Sequence, residues 1–153
     1  MAESFRTRIA RWRFNLFPAY RGTGGRITYI AGDWLEVRIK LPLNWRTRNY
    51  VGTTFGGSMY GAVDPVYMLM LIKALGKDYV VWDKAAAIHF KKPGRDPLYA
   101  RFVLSREGIS SIRDELTRVP SIERVYHVDL TDADGAVHAA IDKTIHIRRK
   151  EAG

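Results

Sequence analysis

The chain has no cysteine in its 153 residues, which excludes a disulfide framework, a thiol nucleophile, a zinc–thiolate site and an iron–sulfur cluster. Any nucleophile must be an oxygen or a nitrogen. Long apolar runs are missing as well. The longest, residues 65–72, is stopped by Lys73 and falls far short of the roughly 18 residues that a spanning helix needs. Acidic residues are scarce, 16 against 25 Lys and Arg, and the formal net charge is +9. That excess attracts polyanions in general, whether nucleic acid, an anionic membrane surface or a phosphate-rich small molecule. The apolar share of 46% and charged share of 27% fit a globular domain and exclude disordered, collagen-like and coiled-coil chains. The length suits a single domain over residues 1–153.

Near the start, Phe5, Ile9, Trp12 and Leu16 fall on one stripe of a helix over residues 1–18, with Arg6, Arg8, Arg11 and Arg13 between them. The arginines interrupt every apolar core that a secretion signal would need, so the cytoplasm is the expected address. The stripe is expected to dock on the domain itself. Lying on an anionic membrane is the alternative use of such a helix.

After Pro18 a glycine-rich stretch reads as a loop. Residues 27–31 and 34–41 then form an antiparallel hairpin about Gly32-Asp33, with Leu35, Val37, Ile39 and Leu41 on one face. Residues 58–75 are almost continuously apolar and predict one long buried helix capped by Gly76. Pro65 lies inside it, and Gly61, four residues earlier, leaves room for the proline ring. Strands follow at 85–90, 98–104, 125–131 and 137–147, with a turn at 132–135 and a short serine-capped helix over 110–119. In the last strand Val137, Ile141, Ile145 and Ile147 share one parity. The class is α+β, a curved antiparallel sheet wrapped around a long central helix over residues 25–149. One helix cannot cover so wide a sheet, so a homodimer or larger homo-oligomer is expected.

The chemistry concentrates between Asn49 and Asp64. Gly56 and Gly57 sit where the long helix begins, and a helix start offers unpaired N–H groups and a positive dipole end to a developing oxyanion. Asp64, seven residues after Gly57, is the one acid between Glu36 and Asp78. It reads either as a carboxylate satisfied by neighbouring donors or, with the amides, as half of an acyl-transfer site. His89, His127, His138 and His146 lack metal-ligand spacing, and no metal is expected. Trp12, Trp34, Trp45 and Trp82 are dispersed and no nucleic-acid-reading motif is present, so no nucleic-acid partner is expected.

Asn49, Gly52, Thr53, Gly56, Gly57 and Asp64 resemble the signature of the hotdog-fold acyl-CoA thioesterases of the phenylacetate-type and human thioesterase-superfamily branch. That signature is Asn-x-x-Gly-Thr-x-His-Gly-Gly, with an Asp seven residues beyond the second glycine. His89-Phe90-Lys91-Lys92-Pro93-Gly94 is similar to the end of the strand that follows the helix in that family. The chain is similar in more detail to the DUF4442 type, a hotdog subgroup of bacterial proteins of which some are labelled tetrameric acyl-CoA thioesterases. The resemblance covers roughly residues 15–149. It implies a hotdog fold and hydrolysis of an acyl-CoA thioester, with no cofactor beyond that substrate. Asp64 would be nucleophile or general base, the Gly56 amide, beside Gly57, the oxyanion donor, and Asn49 would orient the carboxylate or the water. The relatives share the site between two subunits and place a hydroxyl at the start of the next strand, where this chain has Asp83, which is expected to be a solvated loop residue, with a second carboxylate across the interface as the alternative. Phe55 replaces the family histidine, which leaves backbone amides as the donors and raises the alternative of a non-catalytic acyl or lipid carrier. Phe55 would face the substrate, and Lys91, Lys92 and Arg95 would hold the phosphates of coenzyme A.

Overall fold

The computed structural model describes residues 1–151. Helix α1 (Phe5–Leu16) opens on a capping box, in which the Ser4 side chain accepts from the Thr7 amide at 3.1 Å and Thr7 returns the bond. Helix α2 (Pro18–Thr23) starts on Pro18 and stops at Gly24, whose φ of 84° is open to glycine at no steric cost. This short helix replaces the expected loop. Strands β1 (Arg26–Ile30) and β2 (Glu36–Leu41) form the expected antiparallel hairpin.

The long central helix is two segments, α3 (Gly56–Val63) and α4 (Val66–Leu75). The break at Asp64-Pro65 follows from the proline, which has no N–H to give to the preceding turn. Gly61 has a different role from the expected one: a Cβ there would lie 2.8 Å from the Thr23 side chain, so its bareness lets α2 approach α3. Tyr20, buried in α2, donates to the Ala62 carbonyl at 2.9 Å across the same contact.

Strands β3 (Tyr79–Phe90), β4 (Leu98–Val103), β5 (Ser121–Thr131) and β6 (Val137–Arg149) complete one antiparallel sheet, ordered β1-β2-β4-β5-β6-β3. Helix α5 (Arg106–Glu115) links β4 to β5 and takes its cap from Ser105, earlier than the sequence pattern suggests. The sheet curves around α3 and α4, burying Met59, Ala62, Val66, Met70 and Leu71 against Ile39, Phe102, Leu130 and Ile141. This is the hotdog arrangement.

One expectation fails at α1. Its apolar stripe faces away from the domain, with Phe5 74% and Trp12 66% exposed. The inward side sets Phe14 edge-on against Tyr20 and, beside it, turns polar groups to the free edge of β1. Asn15 accepts from the Ile27 amide and donates to the Ile27 carbonyl, both at 2.8 Å. Glu3, held by Arg11 at 2.8 Å, accepts from the Ile30 amide at 3.3 Å. A sheet edge presents backbone donors and acceptors, which an apolar stripe cannot satisfy.

Candidate functional site

Two half-sites lie along β3. The first is the start of α3. Ser58 and Met59 both donate to the Phe55 carbonyl, while the Gly56 and Gly57 amides have no acceptor among the described residues. A Cβ on Gly56 would sit 3.0 Å from the Phe90 ring, and one on Gly57 2.4 Å from the Phe55 ring. The paired glycines are therefore also what lets two aromatic rings press on the helix start. Phe55 itself is exposed. Its amide donates to Thr47 and the Thr54 amide to Gly94, which ties the 47–55 loop to the 91–95 turn. A cleft of about 350 Å³ opens there, lined by Asn49, Thr54, Gly56, Phe90, Lys91 and Lys92. The expected phosphate cations are thus partly assembled. Lys91 and Lys92 flank the helix start, whereas Arg95 is exposed but is not among the residues lining the cleft.

Asn49 does not orient Asp64 within one protomer. Its Oδ1 accepts from the Val51 and Thr53 amides, and its Nδ2 donates to Thr53 Oγ1 at 2.8 Å. The side chain holds the loop that presents the cleft, an asparagine turn of the usual kind.

The second half-site surrounds Asp64, the last residue before Pro65. Tyr60, one turn earlier on the same face, donates to Asp64 Oδ1 at 2.7 Å. Lys143 Nζ donates to the same oxygen at 2.5 Å and to the Tyr60 hydroxyl at 3.2 Å. Lys143 is only 1% exposed, while the Asp64 side chain is 43% exposed. Asp83 Oδ1 lies 3.2 Å from Nζ, an ion-pair distance, but is not aligned for a hydrogen bond. Burial pushes the Asp83 carboxyl up, with the Lys143 charge working against it. Burial alone would lower the Lys143 ammonium, yet its bonds to Asp64 and Tyr60 and the two carboxylate charges outweigh that and leave it raised. The Tyr60 hydroxyl is raised, first by burial and then by its bond to Asp64.

A β-bulge sets this geometry. The pairing of β3 with β6 slips between Asp83 and Ala85, so Asp83 lies opposite Ile145 while Ala86 lies opposite Lys143. Both positions thereby share the inner face with Lys143. Asp83 is therefore no solvated loop residue but a partner in the Asp64 cluster of the same protomer.

Lys143 and Tyr60 were not among the residues singled out from the sequence. Tyr60 stands at i−4 from Asp64, a readable spacing. Lys143 shares the parity of Ile141, Ile145 and Ile147, a cation set in the middle of a buried apolar row. Such a residue needs an anion at its charged end, and Asp64, with Asp83 nearby, supplies it.

Within one protomer the halves do not meet. Gly56 and Asp64 are eight residues apart along a helical path, about 12 Å by helical rise. Within one copy the carboxylate therefore does not stand beside the amides. No histidine is among the residues lining the cleft, and none bonds to Asp64, Tyr60 or Lys143. His127 lies between Asp129 and Asp142, His138 between Asp132 and Pro93, and His146 stacks on Trp82. Among the described residues no group of three or more His, Cys, Asp or Glu side chains could hold a metal ion.

The chain is similar to several solved structures. A Pseudomonas aeruginosa protein of unknown function, described as a probable thioesterase, matches with a TM-score of 0.84 at 18% identity, covering 98% of this chain and 100% of that one. A Haemophilus influenzae thioesterase matches at 0.70 and 15% identity over 96% and 93% of the two chains. A Chlorobaculum tepidum protein of unknown function matches at 0.74 and 14% identity over 95% of each. At these identities the likeness establishes the fold. No curated protein matches. The model of DUF4442, a domain of unknown function, matches residues 6–147, nearly the whole folded chain, and the protein belongs to that family.

Proposed function

We propose that the protein hydrolyses acyl-CoA thioesters to free acid and coenzyme A, at a site that two copies of the chain complete. The observation that carries this reading is the open oxygen of Asp64. Oδ1 is fixed by Tyr60 and Lys143, while Oδ2 has no partner among the described residues, on a half-exposed carboxylate. A carboxylate so held can attack the thioester carbonyl and expel the coenzyme A thiolate, or take a proton from an attacking water. The amides of Gly56 and Gly57 are the donors for the carbonyl oxygen, and one such donor is worth roughly 3–4 kcal/mol in the transition state.

The two halves flank the same edge strand, since Asp83 belongs to the Asp64 cluster and Phe90 covers Gly56. β3 is the last strand of the sheet and is exposed over residues 84–87. An antiparallel pairing of two β3 edges centred on Ala87, with Lys84 the surplus residue of each copy, sets Phe90 of one copy opposite the other copy's Asp83. The amides of each copy then come beside the carboxylate of the other. Lys91 and Lys92, at the rim of the cleft, suit the phosphates of coenzyme A. The thioesterase descriptions of the Pseudomonas and Haemophilus structures support the reading. A coenzyme A substrate also fits a cytoplasmic address.

The test is a thiol-release assay on purified protein across short, long and aromatic acyl-CoAs. Release is expected for at least one class, falling at least 100-fold in Asp64→Asn with the circular dichroism unchanged. Acyl-CoA retained without thiol release would favour a carrier. Full turnover in Asp64→Asn would remove that residue from the reaction.

A further inference from the structure

The outward stripe of α1 has no occupant in the domain. Phe5, Ile9, Trp12 and Leu16 are all exposed, and at helical pitch they fall within about 60° of one another. Arg8 borders the stripe on one side, and Arg6 and Arg13 on the other, all exposed. The helix holds no acidic residue. Glu3, just before it, points inward to Arg11 and the β1 edge. On the other side of α1, Phe14, Phe17, Trp34 and Leu69 line a separate groove of about 400 Å³ between α1 and α4, bordered by Arg13 and Lys73.

We propose that α1 is a membrane-contact surface that lays this stripe on an anionic bilayer. A narrow apolar stripe containing tryptophan and flanked by arginines is what an interfacial helix needs to enter the headgroup layer while its cations meet lipid phosphates. A second copy of the chain fits poorly, because docking stripe on stripe sets arginines against arginines. The helix is already anchored to β1 by Asn15 and Glu3, so the stripe is held outward by the fold and needs no rearrangement to meet a surface.

The experiment is flotation of the full-length protein with vesicles of pure phosphatidylcholine and with vesicles containing about one-third phosphatidylglycerol. Binding to the anionic vesicles is expected at low salt, with at least tenfold less on pure phosphatidylcholine or in high salt. Arg8→Gln with Arg13→Gln should lower the partition about 25-fold, roughly fivefold for each cation. Trp12→Ser should lower it about tenfold, since the indole supplies apolar area to the interface. Both variants change exposed positions, and an unchanged unfolding midpoint separates lost contact from lost fold. Absence of flotation at low salt overturns the proposal, as does binding that Trp12→Ser leaves intact. So does a fall in native mass in Trp12→Ser, which would assign the stripe to self-association.

Discussion

At one end of the sheet, the outward backbone groups of β1 meet Asn15 and Glu3 of α1, and the edge is closed from within the chain. At the other end β3 runs for 12 residues with its outer side exposed over residues 84–87. The closed edge shows that a helix beside a strand is oriented by hydrogen-bonding need before apolar area, which is why α1 turns Phe5 and Trp12 to solvent. The open edge is bordered by both halves of the candidate site, the amides near Phe90 and the carboxylates near Asp83. One edge is closed by the chain's own helix, and the other is the edge at which we propose that two copies pair.

The contrast can be broken at the open edge with the largest effect. Ala87→Glu would set two carboxylates near the axis of a β3–β3 pair. The expected result is a folded monomer by light scattering, with thiol release at least 100-fold lower, about 2.7 kcal/mol on the barrier. A monomer with full activity would refute the two-copy site. At the closed edge, Asn15→Ala removes both bonds to Ile27 and should cost about 2 kcal/mol in denaturant unfolding, with native mass unchanged. Asn15→Asp, which keeps the acceptor and loses the donor, should cost about half of that.

The smallest effect lies on the strands next to the closed edge. Glu36 of β2 is bonded to Arg101 of β4 at 2.8 Å and to Arg38 at 2.7 Å. The bond from Arg101, with Arg38 adding and burial opposing, holds its carboxyl down at about 2. A lowered carboxyl stabilises the fold above its unfolded value near 4.5 and loses that contribution as pH falls towards 2. Glu36→Gln should therefore lower stability by under about 1 kcal/mol at neutral pH, since both arginines are solvent-screened. The gap to the unaltered protein should close between pH 4.5 and 2 in acid-unfolding curves; a gap that persists at pH 2 would show another cause.

Much of this architecture is legible before any coordinates. The alternation of Val37, Ile39 and Leu41 gives β2, and the apolar mass around Met70 gives the central helix. The Asn49-to-Asp64 spacing marks both half-sites. Three things were hidden, each for a physical reason. The orientation of α1 depends on the unpaired β1 backbone, which hydrophobic periodicity does not record. The break at Asp64-Pro65 depends on whether tertiary packing tolerates a missing donor. The distance between Gly56 and Asp64 is set by the helix, and the proposed bridging by a second copy depends on the β3 edge, which no spacing between the two residues records. Lys143 was readable in principle, as a charge placed in register with Ile141 and Ile145.

The slip in β3 has a further consequence for how this strand tolerates change. Because one surplus residue at Lys84 reverses the alternation that follows, the spacing from Asp83 to Phe90 works like a reading frame. Deleting Lys84, a surface lysine whose side chain reaches only Glu123, would remove the surplus residue and leave Ala86, Ile88 and Phe90 opposite Lys143, Ile141 and Ala139, whereas deleting Ala87, beyond the slip, would turn Ile88 and Phe90 to the opposite side. The lid over Gly56 would then be lost, although Phe90 itself had not been touched.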